Sequence, residues 1–155
     1  MKRILYFAFG SNLLSERLFR RVGFCRYINN YILEGYSLEF NCSGFANIVP
    51  NLGEQVEGAL YELSPEQLKY LNEYEGFYAA QFFDSPLYPD CIIVAYIGLE
   101  RVIQQSRHVL PERNYISIIL EGMIEKHIEI NYIKTLNTPV RPIFKQFKKT
   151  KSKRR

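Results

Sequence analysis

Apolar and polar residues follow two different periods along the chain, and these periods predict the positions of strands and helices. Residues 4–9 form an uninterrupted apolar run, which is typical of a central strand buried on both faces. Further strand patterns occupy 27–40, 44–50, 55–63, 78–84 and 91–99, and helical patterns occupy 13–21, 64–75 and 112–130. The break between the third and fourth strands is predicted at residues 51–53, where Gly53 favours a turn.

Local signals support two of the predicted helices. Ser64 followed by Pro65 and Gln67 is a capping-box pattern, and Gly76 is a typical stop for the helix that Ser64 begins. In the last helix Gly122 costs about 1 kcal/mol relative to Ala, which indicates close packing at that position.

These elements predict one α+β domain: a small mixed β-barrel with packed helices. A closed or nearly closed sheet would protect its edge strands from pairing with other chains. The domain is expected to span 1–144, followed by a basic, flexible tail at 145–155.

Composition and charge narrow the class of protein. Apolar residues make up 47% of the 155 residues, which excludes a disordered chain, and the twelve Tyr and eleven Phe are expected to fill a β-rich core. The net charge is +4, but seven of the twenty basic residues lie in 145–155, so the remaining body is slightly acidic. The body is therefore not a basic nucleic-acid binder, whereas the tail could contact nucleic acid or an acidic membrane surface or simply be solvated.

Cysteine and histidine usage predicts neither a disulfide framework nor a metal site. Three widely spaced cysteines and two histidines provide no zinc-ligand spacing, so no metal or cofactor is expected. The apolar run after Met1 is too short for a signal peptide or a membrane span, and a reduced, cytoplasmic protein is predicted.

The first candidate site is the turn at Gly10, Ser11 and Asn12. A buried strand that ends there before a helix presents backbone N–H groups to one spot, which suits a carboxylate or an oxyanion. Taken alone the signal is weak, because Ser and Asn before a helix commonly serve as caps.

The second candidate is Glu75, at the end of a predicted helix. The helix dipole disfavours a carboxylate there, and the neighbouring Tyr74, Phe77 and Tyr78 could desolvate it and raise its pKa toward the range useful for proton transfer. The alternative is a solvated surface carboxylate.

Other polar candidates fit structural roles better. Glu73 lies two positions from Glu75 and points elsewhere on a helix, and Cys25 and Cys42 have no histidine at a useful spacing. The pair Arg107 and His108 could meet a substrate carboxylate from a loop. The chain has no P-loop and no dinucleotide fingerprint.

Four sequence blocks together resemble the γ-glutamylcyclotransferase family. The blocks are Tyr6-Phe7-Ala8-Phe9-Gly10-Ser11-Asn12-Leu13 with Ser15-Glu16-Arg17, then Gly44-Phe45-Ala46-Asn47-Ile48 with Gly53, Val56 and Gly58, then Glu75-Gly76, and finally Pro111 with Tyr115 and Gly122. The resemblance runs from about residue 4 to residue 136. It implies a small barrel with a pocket at one end, a cytoplasmic enzyme and, by analogy with relatives, a homodimer.

The resemblance also implies a reaction and a set of site residues. A γ-glutamyl amino acid is cyclised to 5-oxoproline by attack of its own α-amine, a lyase reaction of glutathione metabolism that needs no cofactor. Glu75 is the expected general acid/base. The residues expected to bind the substrate are Tyr6, Phe7, Ala8, Phe9, Gly10, Ser11, Asn12 and Tyr115.

Two alternative functions remain open, and two residues depart from the family pattern. The chain could act on γ-glutamylamines such as γ-glutamyl-ε-lysine, or it could be an inactive binding module that works through its basic tail. Phe9 replaces a common family Tyr, and Phe82 replaces a Tyr found in close relatives. Both departures bear on substrate preference, whereas the carboxylate and the Gly10 turn are retained.

Overall fold

One mixed sheet of five strands organises the described part of the chain. The computed structural model describes residues 1–40, 45–76, 78–98 and 113–128. The strands are β1 (Arg3–Ala8), β2 (Arg26–Phe40), β3 (Ala46–Leu63), β4 (Tyr78–Phe83) and β5 (Cys91–Gly98), arranged in the order β2-β3-β1-β5-β4. β1 pairs antiparallel with β3 and parallel with β5, while β2–β3 and β4–β5 are antiparallel pairs. The mixed α+β class and the central, buried position of the first strand are confirmed.

Three α-helices accompany the sheet over the described ranges. They are α1 (Ser15–Val22), α2 (Pro65–Tyr74) and α3 (Arg113–Glu125), and a short 3-10 turn, Ser11–Leu13, precedes α1. The predicted capping box of α2 is present: the Gln67 N–H donates to Ser64 Oγ at 3.1 Å, and the Ser64 N–H donates to Gln67 Oε1 at 2.9 Å. The first turn of α2 is therefore specified locally, as its sequence indicated.

The last helix is shorter than its apolar periodicity predicted. Its buried stripe of Ile116, Ile119, Leu120 and Met123 is as expected, but the helix ends at Glu125. His127 has a φ of 54°, in the left-handed region, and the Ile128 N–H turns back to the Met123 carbonyl. This left-handed residue ends the helix even though the apolar pattern continues to Ile128.

The predicted break between two strands at residues 51–53 is wrong. β3 is one strand that continues through this region, with residues 46–49 and its C-terminal part buried and residues 50–55 exposed. The ladder to β2 pairs Glu34 with Gln55 and Tyr36 with Pro50, so four β3 residues face Gly35 alone. Gly35 and Gly53 both have positive φ and absorb this irregularity, so the turn signal produces a bulge.

The predicted closure of the sheet into a barrel is also wrong for the described residues, because β2 and β4 remain as its two edges. The distal half of the long β2–β3 hairpin nevertheless curves toward the other edge. There the Gly98 N–H of β5 donates to Asn47 Oδ1 at 2.7 Å, and the Tyr36 and Phe83 rings meet edge to face. Side chains therefore span the gap that a backbone ladder would occupy in a closed barrel.

The strand directions bring distant segments together at one end of the strands. β1 and β5 are parallel, so their C-terminal residues, Ala8 and Gly98, lie at the same end of the sheet. Tyr78, the first residue of β4, pairs with Gly98, which places the α2–β4 connection at this end of the sheet as well. The segment after β1, the end of α2 and the start of β3 therefore converge there. None of the helices within the described ranges has the length and apolar character required to cross a bilayer.

Candidate active site

A cavity of about 410 Å³ opens at the end of the sheet where β1 and β5 terminate. This volume lies within the range of about 300–1,000 Å³ that is common for small-molecule sites. Its lining combines one carboxylate, two guanidinium groups and five tyrosines. The lining residues are Tyr6, Phe9, Gly10, Ser11, Asn12, Arg17, Arg21, Phe45, Ala46, Tyr74, Glu75, Tyr78, Tyr96 and Tyr115.

The turn that follows β1 forms one wall of this cavity. The Leu13 N–H donates to the Gly10 carbonyl at 3.0 Å and closes the 3-10 turn, and Ser11 and Asn12 are buried within it. Asn12 Nδ2 donates to Tyr6 Oη at 3.0 Å, which fixes the Asn12 side chain against β1. Tyr6 and Phe9 also line the cavity, whereas the side chains of Phe7 and Ala8 are fully buried outside its lining.

Glu75 faces the turn from the opposite element. It is the C-terminal capping residue of α2, with its N–H bonded to the Leu71 carbonyl at 3.1 Å. Burial raises the pKa of the Glu75 carboxyl above its ordinary value, and the positive charge of Arg21 partly offsets this effect. The carboxyl group is therefore poised to exchange a proton closer to neutrality than a solvated glutamate would.

Neutral tyrosine hydroxyls surround this carboxyl group. Burial raises the pKa of Tyr6, Tyr96 and Tyr115, and the negative charge of Glu75 raises all three further. Tyr115 Oη accepts the Ala46 N–H at 3.0 Å, just as Tyr6 Oη accepts from Asn12. Because these two hydroxyls act as acceptors here, each retains its own proton for donation to a ligand, while Tyr96 donates to Asn72.

Two arginines of α1 were not identified as site residues from the sequence. Arg17 and Arg21 lie four positions apart, so both project from the same face of the helix toward the cavity. Arg21 Nη1 donates to Asn12 Oδ1 at 3.1 Å, and its guanidinium lies 5.4 Å from the centre of the Tyr74 ring. The available signal was their i, i+4 spacing on a helix directly after the Gly10 turn. Tyr74 and Tyr78, which the sequence placed beside Glu75, also line the cavity. Tyr96 carried no local signal, because strand pairing alone brings it here.

The remaining sequence candidates lie away from the cavity or outside the described residues. Glu73 is exposed on α2, and Phe82 is exposed on β4 and does not line the cavity. Cys25 is buried without a disulfide partner, and burial raises its pKa to about 11. Arg107, His108, Cys42, Gly44, Phe77, Pro111, the boundary at residue 144 and the basic segment 145–155 lie outside the described residues.

The arrangement suits chemistry in which one carboxyl group moves protons and donors bind an anionic or carbonyl-containing ligand. Among the described residues that line the cavity there is no histidine, lysine or cysteine, so none of them provides Ser11 with a base of the kind that activates a nucleophilic hydroxyl. Within the described ranges no group of three or more His, Cys, Asp or Glu side chains is placed to bind a metal ion. A substrate that contains its own nucleophile would need only what this cavity provides.

Comparisons with known proteins identify the family to which the chain is similar. The family model "Gamma-glutamyl cyclotransferase, AIG2-like" matches residues 6–113, which include every described segment of the cavity lining except Tyr115. A gamma-glutamylcyclotransferase of Bos taurus is 27% identical over 149 residues, covering 86% of this chain and 77% of that protein. A gamma-glutamylcyclotransferase of Homo sapiens is 33% identical over 82 residues, covering 46% of this chain and 44% of that protein.

Solved structures share the fold. One described as a gamma-glutamyl cyclotransferase superposes with a TM-score of 0.74 at 24% identity, covering 88% of both chains. A crystal structure of a human protein described as uncharacterized superposes with a TM-score of 0.71 at 23% identity, covering 89% of this chain and 88% of that one. At these identities the likeness supports the fold alone.

Proposed function

Because the chain belongs to the AIG2-like gamma-glutamyl cyclotransferase family, we propose that it converts γ-glutamyl amino acids into 5-oxoproline and a free amino acid. The observation that carries this proposal is the half-buried Glu75, whose pKa is raised, facing the Gly10–Asn12 turn across a cavity of suitable size. The cavity provides one proton-transfer group and several hydrogen-bond donors, which are the components that an intramolecular cyclisation requires.

The nucleophile of this reaction is part of the substrate. The α-amine attacks the γ-carbonyl carbon, a C–N bond forms within the new ring, and the original amide C–N bond breaks. Well-oriented intramolecular reactions have effective molarities of about 10⁵–10⁸ M, so holding the glutamyl chain in a folded conformation supplies much of the acceleration.

Protons must leave the attacking nitrogen and reach the leaving nitrogen. An α-ammonium group with a pKa of about 8 starts protonated at neutral pH and loses two protons as the lactam forms. The leaving nitrogen gains two protons and departs as an ammonium group. Glu75 carries the two protons one after the other: it accepts each from the attacking nitrogen and delivers it to the leaving nitrogen, so its carboxyl group ends the cycle unchanged.

The turn and the tyrosines hold the glutamyl half of the substrate. Backbone N–H groups near Gly10 and Ser11 bind its α-carboxylate or the developing oxyanion, in the manner of other preorganised backbone donors. The O–H groups of Tyr6 and Tyr115 retain protons that can be donated to the same groups. Phe9 provides an apolar wall, and Phe7 and Ala8 contribute through their backbone and through the packing that supports the turn.

The test of this proposal is the formation of 5-oxoproline by the full chain and by Glu75→Gln. Purified protein is incubated with γ-glutamyl-alanine, γ-glutamyl-ε-lysine and glutathione, and the product is quantified. Glutamine retains the size of the side chain and removes its acid/base function, so kcat should fall by about 10²–10⁴.

The matched control is Glu73→Gln, which makes the same chemical change two residues earlier on the exposed surface of α2. This variant should retain wild-type turnover. An active Glu75→Gln would remove Glu75 from the mechanism. If the folded wild-type protein forms no 5-oxoproline from any of the three substrates, the proposed activity is wrong.

A further inference from the structure

The two arginines in the cavity differ in their ion pairing from three others that the structure describes. Arg3, Arg20 and Arg26 each lie within 4.0 Å of a glutamate. Arg17 and Arg21 form no ion pair within that distance to any described residue. Two cations thus project into one cavity, and no carboxylate in the described part of the chain pairs directly with either of them.

Several donors of this pair are unused. Arg17 Nε is buried and has no hydrogen-bond partner among the described residues. Arg21 donates one N–H to Asn12, and its other donors, of five in all, have no hydrogen bond to a residue of the described ranges. The contact with Asn12 and the Tyr74 ring fixes the orientation of the Arg21 guanidinium. A guanidinium that is already oriented loses little freedom when it binds a planar carboxylate.

The charges of the cavity are also unbalanced. Among the described residues of the lining Glu75 is the only acidic one, so Arg17 and Arg21 leave one positive charge there even when Glu75 is ionised. Arg17 and Arg21 are like charges four residues apart on one helix and line the same cavity, an arrangement that is electrostatically unfavourable. Burial lowers the pKa of Arg17, and the positive charge of Arg21 lowers it further. A bound anionic group would relieve this repulsion and would satisfy the unused donors.

The chemistry of a γ-glutamyl amino acid provides such a group at a suitable place. Its released half bears a carboxylate on the carbon next to the leaving nitrogen, whereas the released half of a γ-glutamylamine does not. Glu75 must reach the leaving nitrogen in order to protonate it, and Arg21 is close enough to Glu75 for its charge to act on that carboxyl group. The carboxylate of the released amino acid would therefore lie near the arginine pair.

We propose that Arg17 and Arg21 bind the carboxylate of the amino acid that is released, and that they select γ-glutamyl amino acids over γ-glutamylamines. This assignment rests on the proposed cyclisation and extends it to the identity of the leaving group. Arg17 and Arg21 are thus specificity-determining residues of the same cavity in which Glu75 moves the protons.

Two matched substrates test the assignment without any mutation. γ-Glutamyl-alaninamide has the size of γ-glutamyl-alanine but replaces the leaving-group carboxylate with a neutral amide. Hydrogen bonds to charged groups are strong, so the wild-type kcat/KM should favour γ-glutamyl-alanine by about tenfold to a hundredfold. Equal kcat/KM values for the two substrates would overturn the proposal.

Variants then identify the residues responsible. Arg17→Gln and Arg21→Gln should each reduce kcat/KM for γ-glutamyl-alanine by about tenfold or more, mainly through KM, and by a clearly larger factor than for γ-glutamyl-alaninamide, so the preference of the wild type is lost. Arg17→Lys and Arg21→Lys keep the charge and should retain part of the preference if the glutamine variants fold poorly. Arg20→Gln is the matched control, because Arg20 pairs with Glu16 on the exposed side of α1, and it should retain the full preference.

The outcomes separate the two proposals. If the glutamine variants lose the same factor on both substrates, the arginines bind the glutamyl half or support the fold. The selectivity assignment is then wrong while cyclisation stands. If the wild type forms no 5-oxoproline from either substrate, the cyclisation is wrong and the selectivity assignment fails with it.

Discussion

At the scale of single residues, Glu75 combines a function with a cost in stability. Burial raises its pKa in the folded protein above the ordinary value of 4.5, so the folded state binds the proton more tightly than the unfolded state. Stability consequently falls as pH rises through the interval between the unfolded and folded pKa values, and the penalty is fully present above the folded value. The same desolvation that suits the carboxyl group to proton transfer therefore opposes folding at neutral pH.

This linkage predicts the pH dependence of Glu75→Gln. Glutamine is neutral at every pH, so the variant should be more stable than the wild type at pH 7. Below a pH of about 4.5 the wild-type carboxyl group is protonated in both states, and the gain should disappear. The measurement is Tm between pH 3.5 and 8 by circular dichroism for the wild type and the variant.

The exposed Glu73→Gln serves as the reference for this comparison, and its Tm difference from the wild type should remain small and independent of pH. A Glu75→Gln variant whose Tm is lower than that of the wild type at pH 7 would show that the ionised carboxylate stabilises the fold. That result would contradict a desolvating environment around the Glu75 carboxyl group.

At the scale of elements, local signals identified where segments begin more reliably than how far they extend. Ser64 and Gln67 specify the start of α2 through contacts within a single turn, so a short sequence window contains all the relevant information. The length of β3 depends on pairing with β2, which continues past the turn signal at Gly53 because Gly35 opposes the bulge. The end of α3 depends on the backbone conformation of His127, for which the apolar period contains no signal.

At Gly122, α3 supports the turn that forms one wall of the cavity. α3 packs on the 3-10 turn at this residue, where an added Cβ would lie 2.6 Å from Leu13 Cβ and 2.6 Å from the Leu14 backbone nitrogen. The close packing that the sequence predicted at Gly122 is therefore confirmed. The contact involves backbone atoms just after Asn12, so the position of α3 and the shape of the Gly10 turn depend on each other.

Gly122→Ala should destabilise the protein and impair the site. Alanine gains about 1 kcal/mol in helix propensity, but overpacking against a well-packed neighbour costs about 1–3 kcal/mol. Because a backbone nitrogen cannot rotate away, the steric cost should dominate, with a net loss of about 1 kcal/mol or more and a higher KM. Chemical denaturation and 5-oxoproline kinetics measure the two effects.

The stability control for this substitution is Gly76→Ala, where an added Cβ meets nothing within 4 Å. That variant should be as stable as the wild type or slightly more so. If Gly122→Ala matches it, the contact between α3 and the turn has room to relax and does not constrain the site.

At the scale of the whole molecule, the components of the site that sequence could reveal are those carried by short motifs. Gly10, Ser11 and Asn12 follow a recognisable buried strand, and Glu75 ends a recognisable helix, so both could be proposed before the fold was known. Tyr96 and Ala46 reach the cavity only through the strand order and the curvature of the β2–β3 hairpin. Arg17 lay within a motif that was noticed, but its unused donor becomes evident only when its neighbours are known.

The open sheet also makes one side chain responsible for a contact between distant parts of the chain. Asn47 is 1% exposed near the start of β3, and its Oδ1 accepts the Gly98 N–H from the end of β5. The adjacent Ala46 N–H binds Tyr115 on α3, and its carbonyl accepts from Tyr78 at 3.4 Å. The curved hairpin is thus held over the cavity by a few hydrogen bonds, of which the Asn47 bond is buried.

Asn47→Ala should therefore weaken both the fold and the cavity. Leaving the Gly98 N–H buried without an acceptor costs about 1–3 kcal/mol, and loss of the unsatisfied Asn47 Nδ2 offsets part of this, so we expect a net loss of about 1–2 kcal/mol. The hairpin carries Phe45 and Ala46 of the lining, so KM should rise while kcat changes less.

Asn51→Ala is the matched control, since Asn51 lies on the exposed part of the same strand and bonds Ser37 at 3.4 Å. Denaturation and steady-state kinetics of the two variants compare them directly. Equal behaviour would mean that backbone pairing within the hairpin and the two tyrosine contacts of Ala46 suffice to hold it over the cavity, and that the Asn47–Gly98 bond contributes nothing to closing the molecule around its site.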